Sequence, residues 1–191
     1  MGDELRGENL VHLNVRFSTE TELKRIQDFL YEKSGQGVSF TGLVEAMANE
    51  VTIVTAVHNI KSNKGSKTAG VDKIKMDKYL QMPKDELILL IQSCFRNYRP
   101  KPARREYIEK SNGKKRPLGI PTVLDRIIQE CVRIIIEPIC EARFYPQSYG
   151  FRPYRAQKHA IRGIINVINA GCKSPDQPVW AIEGDIKGCF D

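Results

Sequence analysis

The stretch "REYIEKSNGKKRPLGI" (residues 105–120) contains two short β-favouring runs on either side of an Asn-Gly pair. Hairpin turns favour Asn-Gly because both residues tolerate a positive φ angle. We therefore predict a β-hairpin over this stretch. Pro117 lacks the backbone N–H that a central strand requires, so the second strand is predicted to be brief or to lie at a sheet edge.

Helical patterns lie on both sides of this hairpin. Thr19 and Glu22 have capping-box spacing and predict a helix over residues 18–33. Apolar residues at helical spacing predict further helices over residues 40–65, 83–97, 122–144 and 156–171. Pro138 is expected to bend or end the third of these. The apolar run 179–186 is predicted to be a buried strand, and the order of elements indicates an α+β fold.

Charge is unevenly distributed along the chain. The formal net charge is +7, but residues 1–50 hold five Lys/Arg against nine Asp/Glu. The remaining residues hold 25 Lys/Arg against 14 Asp/Glu, and residues 101–116 alone hold seven against two. A solvated surface explains one basic run about as well as a polyanionic partner does. Nucleic acid is the sharper interpretation.

The composition and motifs disfavour several classes of protein. Hydrophobic content of 41% and charged content of 28% are those of a folded globular chain. No apolar run approaches the roughly 18 residues of a membrane span, and the N-terminus has no secretory pattern. Five cysteines without a CxxC pair indicate reduced thiols in a cytoplasmic protein and disfavour zinc. Lys67-Thr68 lacks the glycines of a P-loop, so an ATPase is rejected.

Three segments together resemble the reverse transcriptases encoded by group II introns, which are also called maturases. The segments are "RPLGIPTVLDRIIQ" (116–129), "SYGFRP" (148–153) and "DIKGCFD" (185–191). They occur in that family in the same order and with the same spacing. The likeness covers roughly residues 61–191. The Gly- and Lys-rich loop 63–72 resembles the family's lid motif, whereas the first 60 residues resemble only its N-terminal helical extension.

The resemblance implies part of a right-hand polymerase, largely helical, with a basic hairpin and the first palm strand. The implied domains are an N-terminal helical extension (1–62), the fingers (63–178) and the start of the palm (179–191). The family's palm carries a second Asp pair, usually within Tyr-Ala-Asp-Asp, which these 191 residues do not contain. We therefore expect the chain to be part of a longer polymerase and to be inactive alone.

The implied activity is RNA-directed DNA polymerisation by a protein that also binds its intron RNA and assists splicing and mobility. The complete enzyme of this family uses two Mg²⁺ ions, and magnesium prefers oxygen ligands. Asp185 matches the family's first metal-binding Asp, and Ile186 would contribute its backbone carbonyl. The chain alone is not expected to hold the ions. From the local sequence, a structural surface carboxylate is the alternative for Asp185.

The resemblance also implies nucleotide and RNA contacts. Phe190 matches the aromatic residue beneath the sugar, with an ordinary core aromatic as the alternative. Triphosphate or base contacts are implied for Arg104, Lys110 and Arg116. Glu109 departs from the proline frequent in the family and adds a negative charge beside this site. RNA contacts are expected for Lys64, Lys67, Lys114, Lys115 and Arg152. The Lys114–Lys115 pair is interpreted as solvated or as making nonspecific contacts.

The expected partners are group II intron RNA, an RNA template with its DNA primer, and deoxynucleoside triphosphates. A homodimer is allowed, no membrane is expected, and the expected location is the cytoplasm of a bacterium or an organelle. One alternative is an RNA-binding splicing cofactor whose polymerase activity is secondary. Another is an unrelated basic DNA-binding domain, which would leave "DIKGCFD" unexplained.

Overall fold

The structure is a computed structural model that describes residues 9–109, 111, 113, 115–171 and 180–186. The chain divides into two compact units, one up to Arg143 and one from Phe144 onward. Each unit is described by itself. No helix in the described ranges is long and apolar enough to cross a membrane.

The first unit combines six helices with two small sheets among its described residues. The helices are α1 (Glu20–Gly35), α2 (Leu43–Met47), α3 (Glu50–Ser62), α4 (Met76–Leu80), α5 (Lys84–Arg96) and α6 (Val123–Glu141). The parallel pair consists of β1 (Leu10–His12) and β2 (Ser39–Thr41), and the antiparallel hairpin of β3 (Arg104–Glu109) and β4 (Lys115–Ile120). The mixture agrees with the predicted α+β class, and the hairpin prediction is confirmed.

Helix α6 forms the centre of the first unit's core. It packs against α1, α2, α3 and α5. Its buried apolar residues recur at helical spacing and are Val123, Ile127, Ile128, Cys131, Ile134 and Ile135. Burying an aliphatic side chain of this size contributes about 1.5–3 kcal/mol. Burial also raises the pKa of the Cys131 thiol to about 12, so this thiol stays protonated at neutral pH.

The predicted cap of α1 is confirmed. The Thr19 hydroxyl accepts from the Glu22 N–H at 3.2 Å, and the Glu22 carboxylate accepts from the Thr19 N–H at 3.2 Å. The Ser18 N–H donates to the same carboxylate at 2.7 Å. These donors, Ser18 first, hold the pKa of Glu22 below its usual value. The carboxylate therefore remains charged at the positive end of the helix dipole.

The predicted single helix over residues 40–65 is wrong in its first part. The chain there forms β2 and the short α2 before α3 begins. Asn49 marks the break, because its Oδ1 accepts from the Val51 N–H at 2.8 Å and caps α3. Its Nδ2 donates to the carbonyls of Val15 and Phe17 at 3.1 and 3.0 Å. The apolar stripe continues across this break, so periodicity alone did not reveal it.

Helix α6 does not end at Pro138 but continues to Glu141. Proline has no N–H to donate to the carbonyl of Ile134, four residues earlier. Gln27 of α1 replaces that donor, since its Nε2 lies 2.9 Å from the Ile134 carbonyl oxygen. A side chain of the neighbouring helix thus completes the hydrogen bonding of α6 and fixes α1 against it.

The predicted buried strand over residues 179–186 is wrong for residues 180–186, which the structure describes. They form neither strand nor helix, and Trp180 and Ile182 are 87% and 101% exposed. A strand requires a hydrogen-bonded neighbour, and no described strand pairs with this segment. In the same unit, the prediction of a helix over residues 156–171 is confirmed by α7 (Gln157–Gly171).

Replacing Gln27 with alanine is expected to lower the free energy of unfolding by about 1–3 kcal/mol, because the buried Ile134 carbonyl loses its donor. Urea denaturation measures the change. In a Pro138→Ala background, residue 138 regains an N–H that can satisfy the same carbonyl. Gln27→Ala should then cost at least about 1 kcal/mol less. An equal cost in both backgrounds would contradict the assigned role of Gln27.

Candidate nucleic-acid interface

Arg104 and Arg116 lie on the same face of the hairpin. The register pairs Arg104 with Ile120 and Ile108 with Arg116, and residues directly opposite in an antiparallel pair share a face. Arg104 is at the base of the hairpin and Arg116 is near its tip, about 13 Å further along the strand. Lys110, predicted to act with them, lies outside the described residues.

The other face of the hairpin brings Glu109 opposite Lys115. The negative charge of Glu109 is therefore close to a lysine, which reduces its effect on an approaching anion. Arg105 is on this face as well, and the exposed cations Arg105, Lys115 and Arg116 form no ion pair within the described ranges. Lys114 lies outside the described residues. The described hairpin thus presents three exposed cations, of which Lys115 has a carboxylate on the facing strand.

Arg104 is engaged at the base of the hairpin. Its Nη1 lies 2.5 Å from Glu106 Oε1, and its Nε donates to the Ala69 carbonyl at 3.2 Å. Ala69 belongs to the Gly- and Lys-rich loop 63–72, which we call the lid loop. Arg104 therefore fastens the hairpin to the lid loop, in addition to the nucleotide contact predicted for it.

Arg126 of α6 holds the lid loop at two further carbonyls. Its Nη1 donates to the Gly65 carbonyl at 2.9 Å and its Nη2 donates to the Thr68 carbonyl. Arginine suits this task because two donors leave its planar guanidinium side by side. Burial lowers the pKa of Arg126, and the negative charge of Asp72 acts in the opposite direction. Two arginines thus hold three carbonyls of one short loop.

Close packing completes the fixation of the lid loop. A Cβ atom on Gly70 would lie 2.6 Å from the Cα and 2.8 Å from the N of Thr122, so only glycine fits. Lys101 Nζ lies 3.6 Å from Asp72 Oδ2. Lys64 and Lys67, the RNA contacts predicted in this loop, are both exposed. The fixed backbone therefore presents these two lysines to solvent.

The first turn of α6 joins the hairpin to the core. Thr122 caps the helix, accepting from the Asp125 N–H at 3.1 Å and donating to Asp125 Oδ2 at 2.6 Å. The Tyr98 hydroxyl donates to Asp125 Oδ1 at 3.0 Å. Burial, followed by this hydrogen bond, raises the pKa of Tyr98 to about 12. Tyr98 consequently remains a donor to Asp125 at neutral pH.

Asp185, the predicted metal ligand, is exposed in an irregular segment, and so is Ile186. No three His, Cys, Asp or Glu side chains come together as a metal site anywhere in the described ranges. The described residues therefore do not fit a complete magnesium site, and the metal contacts of Asp185 and Ile186 stay predictions. Phe190 lies outside the described residues.

Arg152 is used within the second unit to hold a turn. Its Nη1 donates to the carbonyls of Tyr145 and Ser148, each at 3.0 Å, and its guanidinium lies 5.0 Å from the centre of the Phe144 ring. The RNA contact expected for Arg152 stays a prediction. The structure shows that this arginine also has a positioning task.

Arg126 and Glu130 of α6 make contacts that were not predicted from the sequence. Glu130 accepts from Asn59 Nδ2 at 2.8 Å and from Arg133 at 2.8 and 2.6 Å. Burial raises the pKa of Glu130, but its donors and the Arg133 charge outweigh this effect and leave the pKa below its usual value. The sequence pattern that could have indicated these contacts is the position of both charged residues at the borders of the apolar stripe of α6. The spacing could not identify the partners.

Comparison with known proteins finds similarity to one protein family and to several intron-encoded proteins. Residues 108–191 match the family described as reverse transcriptase (RNA-dependent DNA polymerase). Protein YkfC of Escherichia coli K12 is 43% identical over 138 residues, which are 68% of this chain and 34% of that protein. The group II intron-encoded protein LtrA of Lactococcus lactis is 42% identical over 154 residues, 80% of this chain and 24% of LtrA.

A mitochondrial plant protein is similar as well. Nuclear intron maturase 1 of Arabidopsis thaliana is 30% identical over 144 residues, 75% of this chain and 17% of that protein. The chain thus spans about a third of the length of YkfC and about a quarter of LtrA.

Replacing Gly70 with alanine is expected to lower the free energy of unfolding by about 1–3 kcal/mol, because the new methyl group would overlap the Thr122 backbone. Thermal or urea unfolding measures the change. Gly65→Ala is the matched control in the same loop, since its nearest neighbour would be the flexible Arg126 side chain at 4.0 Å. The close packing would be contradicted if both variants were equally stable.

Proposed function

This chain belongs to the reverse transcriptases and maturases encoded by group II introns, and from this premise we propose the function of the protein that contains it. That protein is an RNA-directed DNA polymerase which binds its intron RNA and assists splicing and mobility. The observation that carries the proposal is the match of residues 108–191, which includes the second strand of the basic hairpin and "DIKGCFD". The relatives named as intron proteins support the splicing role.

The polymerase role assigns tasks to both units. In the second unit, Asp185 contributes a carboxylate and Ile186 a carbonyl to magnesium, and Phe190 lies beneath the nucleotide sugar. In the first unit, Lys110, Arg116 and Arg104 contact the triphosphate or base. Two Mg²⁺ ions, when bound to the complete enzyme, would stabilise the charge that develops on the reacting phosphate. We also propose that the protein has a right-hand polymerase fold and that this chain contains its fingers and the start of its palm.

The RNA-binding role rests on the exposed cations of the first unit. Arg105, Lys115 and Arg116 on the hairpin and Lys64 and Lys67 on the lid loop are all exposed. Their supporting backbone is fastened by Arg104, Arg126 and the packing of Gly70. Cations on a fixed frame bind phosphates with less loss of conformational entropy than cations on a free chain. Lys114 and Arg152 are proposed as further RNA contacts.

A second candidate is an RNA-binding splicing cofactor whose polymerase activity is secondary. It is supported by the exposed cations of the hairpin and the lid loop and by the relatives named as intron proteins. Under either proposal the partners include intron RNA. The polymerase proposal adds an RNA template, its primer and deoxynucleoside triphosphates as partners. Both proposals allow a homodimer and assume a cytoplasmic or organellar location.

The 191-residue chain is expected to bind structured RNA with a strong dependence on salt. If about four to six phosphates are neutralised, log K should fall with log salt concentration at a slope of roughly −3 to −5. Lys115→Gln with Arg116→Gln should make that slope shallower by about 1.5–2. The matched control, Lys24→Gln with Arg25→Gln in the acidic first fifty residues, should leave the slope unchanged. A flat salt response, or equal effects of the two pairs, would count against the proposed interface.

The same chain is expected to show no primer extension, because its 191 residues offer only the first of the family's metal-binding Asp positions. Incorporation of labelled nucleotide on an RNA template tests this expectation against a no-protein control. Asp185→Asn should leave RNA affinity within about twofold, since Asp185 is exposed and has no described partner. Template-dependent product from the chain would refute the first expectation, and loss of RNA binding in Asp185→Asn would refute the second.

A further inference from the structure

Two aromatic side chains of the second unit are held in an unusual state. Phe151 and Tyr154 are exposed to 110% and 99% of the reference surface, so neither ring is covered by the protein. Both have a positive φ, 57° and 59°. The left-handed region is unfavourable for a bulky side chain and persists only where the surroundings impose it. The fold thus maintains a strained backbone that presents two uncovered rings.

Two arginines hold the segment that carries these rings. Arg152 donates to the carbonyls of Tyr145 and Ser148, and Arg155 Nη1 donates to the Pro146 carbonyl at 2.5 Å. The Arg155 guanidinium also lies 5.4 Å from the centre of the Tyr149 ring, and the Arg155 N–H donates to the Arg152 carbonyl at 3.3 Å.

The braced segment also contacts α7. The Tyr149 hydroxyl would lie 3.2 Å from a Cβ placed on Gly163, so Tyr149 packs closely against that helix. The rings of Phe151 and Tyr154 therefore project from a loop held both by its own arginines and by a helix.

The charged residues of the segment that carries these rings are all cations. Residues 144–171 contain four Lys or Arg and no Asp or Glu. Lys158 and Arg162 are exposed one turn apart on α7, on the same side of the helix. A ligand that suits this surface carries negative charge and flat apolar groups together. Unpaired nucleotides have both, whereas the bases of a duplex are stacked on one another and inaccessible.

We propose that Phe151 and Tyr154 form a stacking site for unpaired bases of single-stranded RNA, with Lys158 and Arg162 contacting the adjoining phosphates. This site rests on the proposed RNA-binding function and deepens it, since it assigns base contacts to a second surface. Stacking on an aromatic ring is largely independent of base identity. The site therefore binds single strands with little sequence preference.

The test uses the 191-residue chain with the double substitution Phe151→Gly and Tyr154→Gly. Glycine adopts a positive φ without strain, so the variant removes the rings while the loop keeps its conformation and thermal stability. Affinity for a 12-nucleotide single-stranded RNA containing 2-aminopurine is expected to fall about tenfold per ring. Wild type should quench the 2-aminopurine emission by stacking, and the variant should not. The salt slope should be unchanged, because the phosphate contacts remain.

Three controls test whether the change in affinity is specific to these two rings and to single-stranded RNA. Tyr31→Ala removes an exposed aromatic from α1 and should leave affinity unchanged. The exchange Phe151→Tyr with Tyr154→Phe keeps both rings and should retain affinity within about twofold. A 12-base-pair RNA duplex should bind wild type and the glycine variant equally.

The outcomes separate this inference from the proposed function. If wild type binds the single strand and the glycine variant binds it equally well, the stacking site is overturned and RNA binding stands. If wild type binds no RNA, both fail. Equal loss of duplex and single-strand binding, tighter binding of a DNA strand of the same sequence, or loss of a wild-type dimer in the glycine variant would each overturn the assignment to unpaired RNA bases.

Discussion

The buried first turn of α6 is the constraint on which the rest of the first unit depends. Thr122 and Asp125 are almost completely buried, and Asp125 is held by the Thr122 hydroxyl and the Tyr98 hydroxyl. A buried carboxylate without donors costs several kcal/mol, so the Thr122 and Tyr98 hydroxyls together stabilise this turn. One residue later, Arg126 extends to the lid loop, and Gly70 packs on the Thr122 backbone. The hairpin exit, the lid loop and the core helix are consequently coupled through five residues.

Arginines in this protein act repeatedly as donors to loop carbonyls. Arg104 and Arg126 hold the lid loop, and Arg143 donates to the Val38 carbonyl at 2.8 Å and to the Ser34 hydroxyl at 2.9 Å. Arg152 and Arg155 do the same in the second unit. Net charge therefore overstates the number of cations available to phosphates, because a guanidinium already committed to two carbonyls has fewer donors for a ligand. The interface should be judged from the exposed, unpaired cations.

Local signals in the sequence predicted the elements that local interactions stabilise. The capping box at Thr19 and the Asn-Gly hairpin are of this kind. The predicted helix over residues 40–65 was wrong where residues distant in sequence act, because Asn49 at its break donates to the carbonyls of Val15 and Phe17. The resemblance likewise suggested Arg104 and Arg116 for the site but not Arg126, whose acceptors lie 61 and 58 residues earlier in the chain. Periodicity carries no information on such pairs.

Both units hold an exposed segment in place through hydrogen bonds from arginines to backbone carbonyls. A two-stranded hairpin is marginally stable by itself, and this one exposes Tyr107, Ile108 and Leu118. It is nevertheless anchored at its base by Arg104 and by the chain's direct passage into the buried cap of α6. In the second unit, an irregular loop keeps a strained conformation through arginine–carbonyl bonds. In both cases the anchoring groups are backbone carbonyls, which every sequence provides. The exposed side chains of these segments can therefore vary to suit a ligand without loss of the hydrogen bonds that hold the backbone.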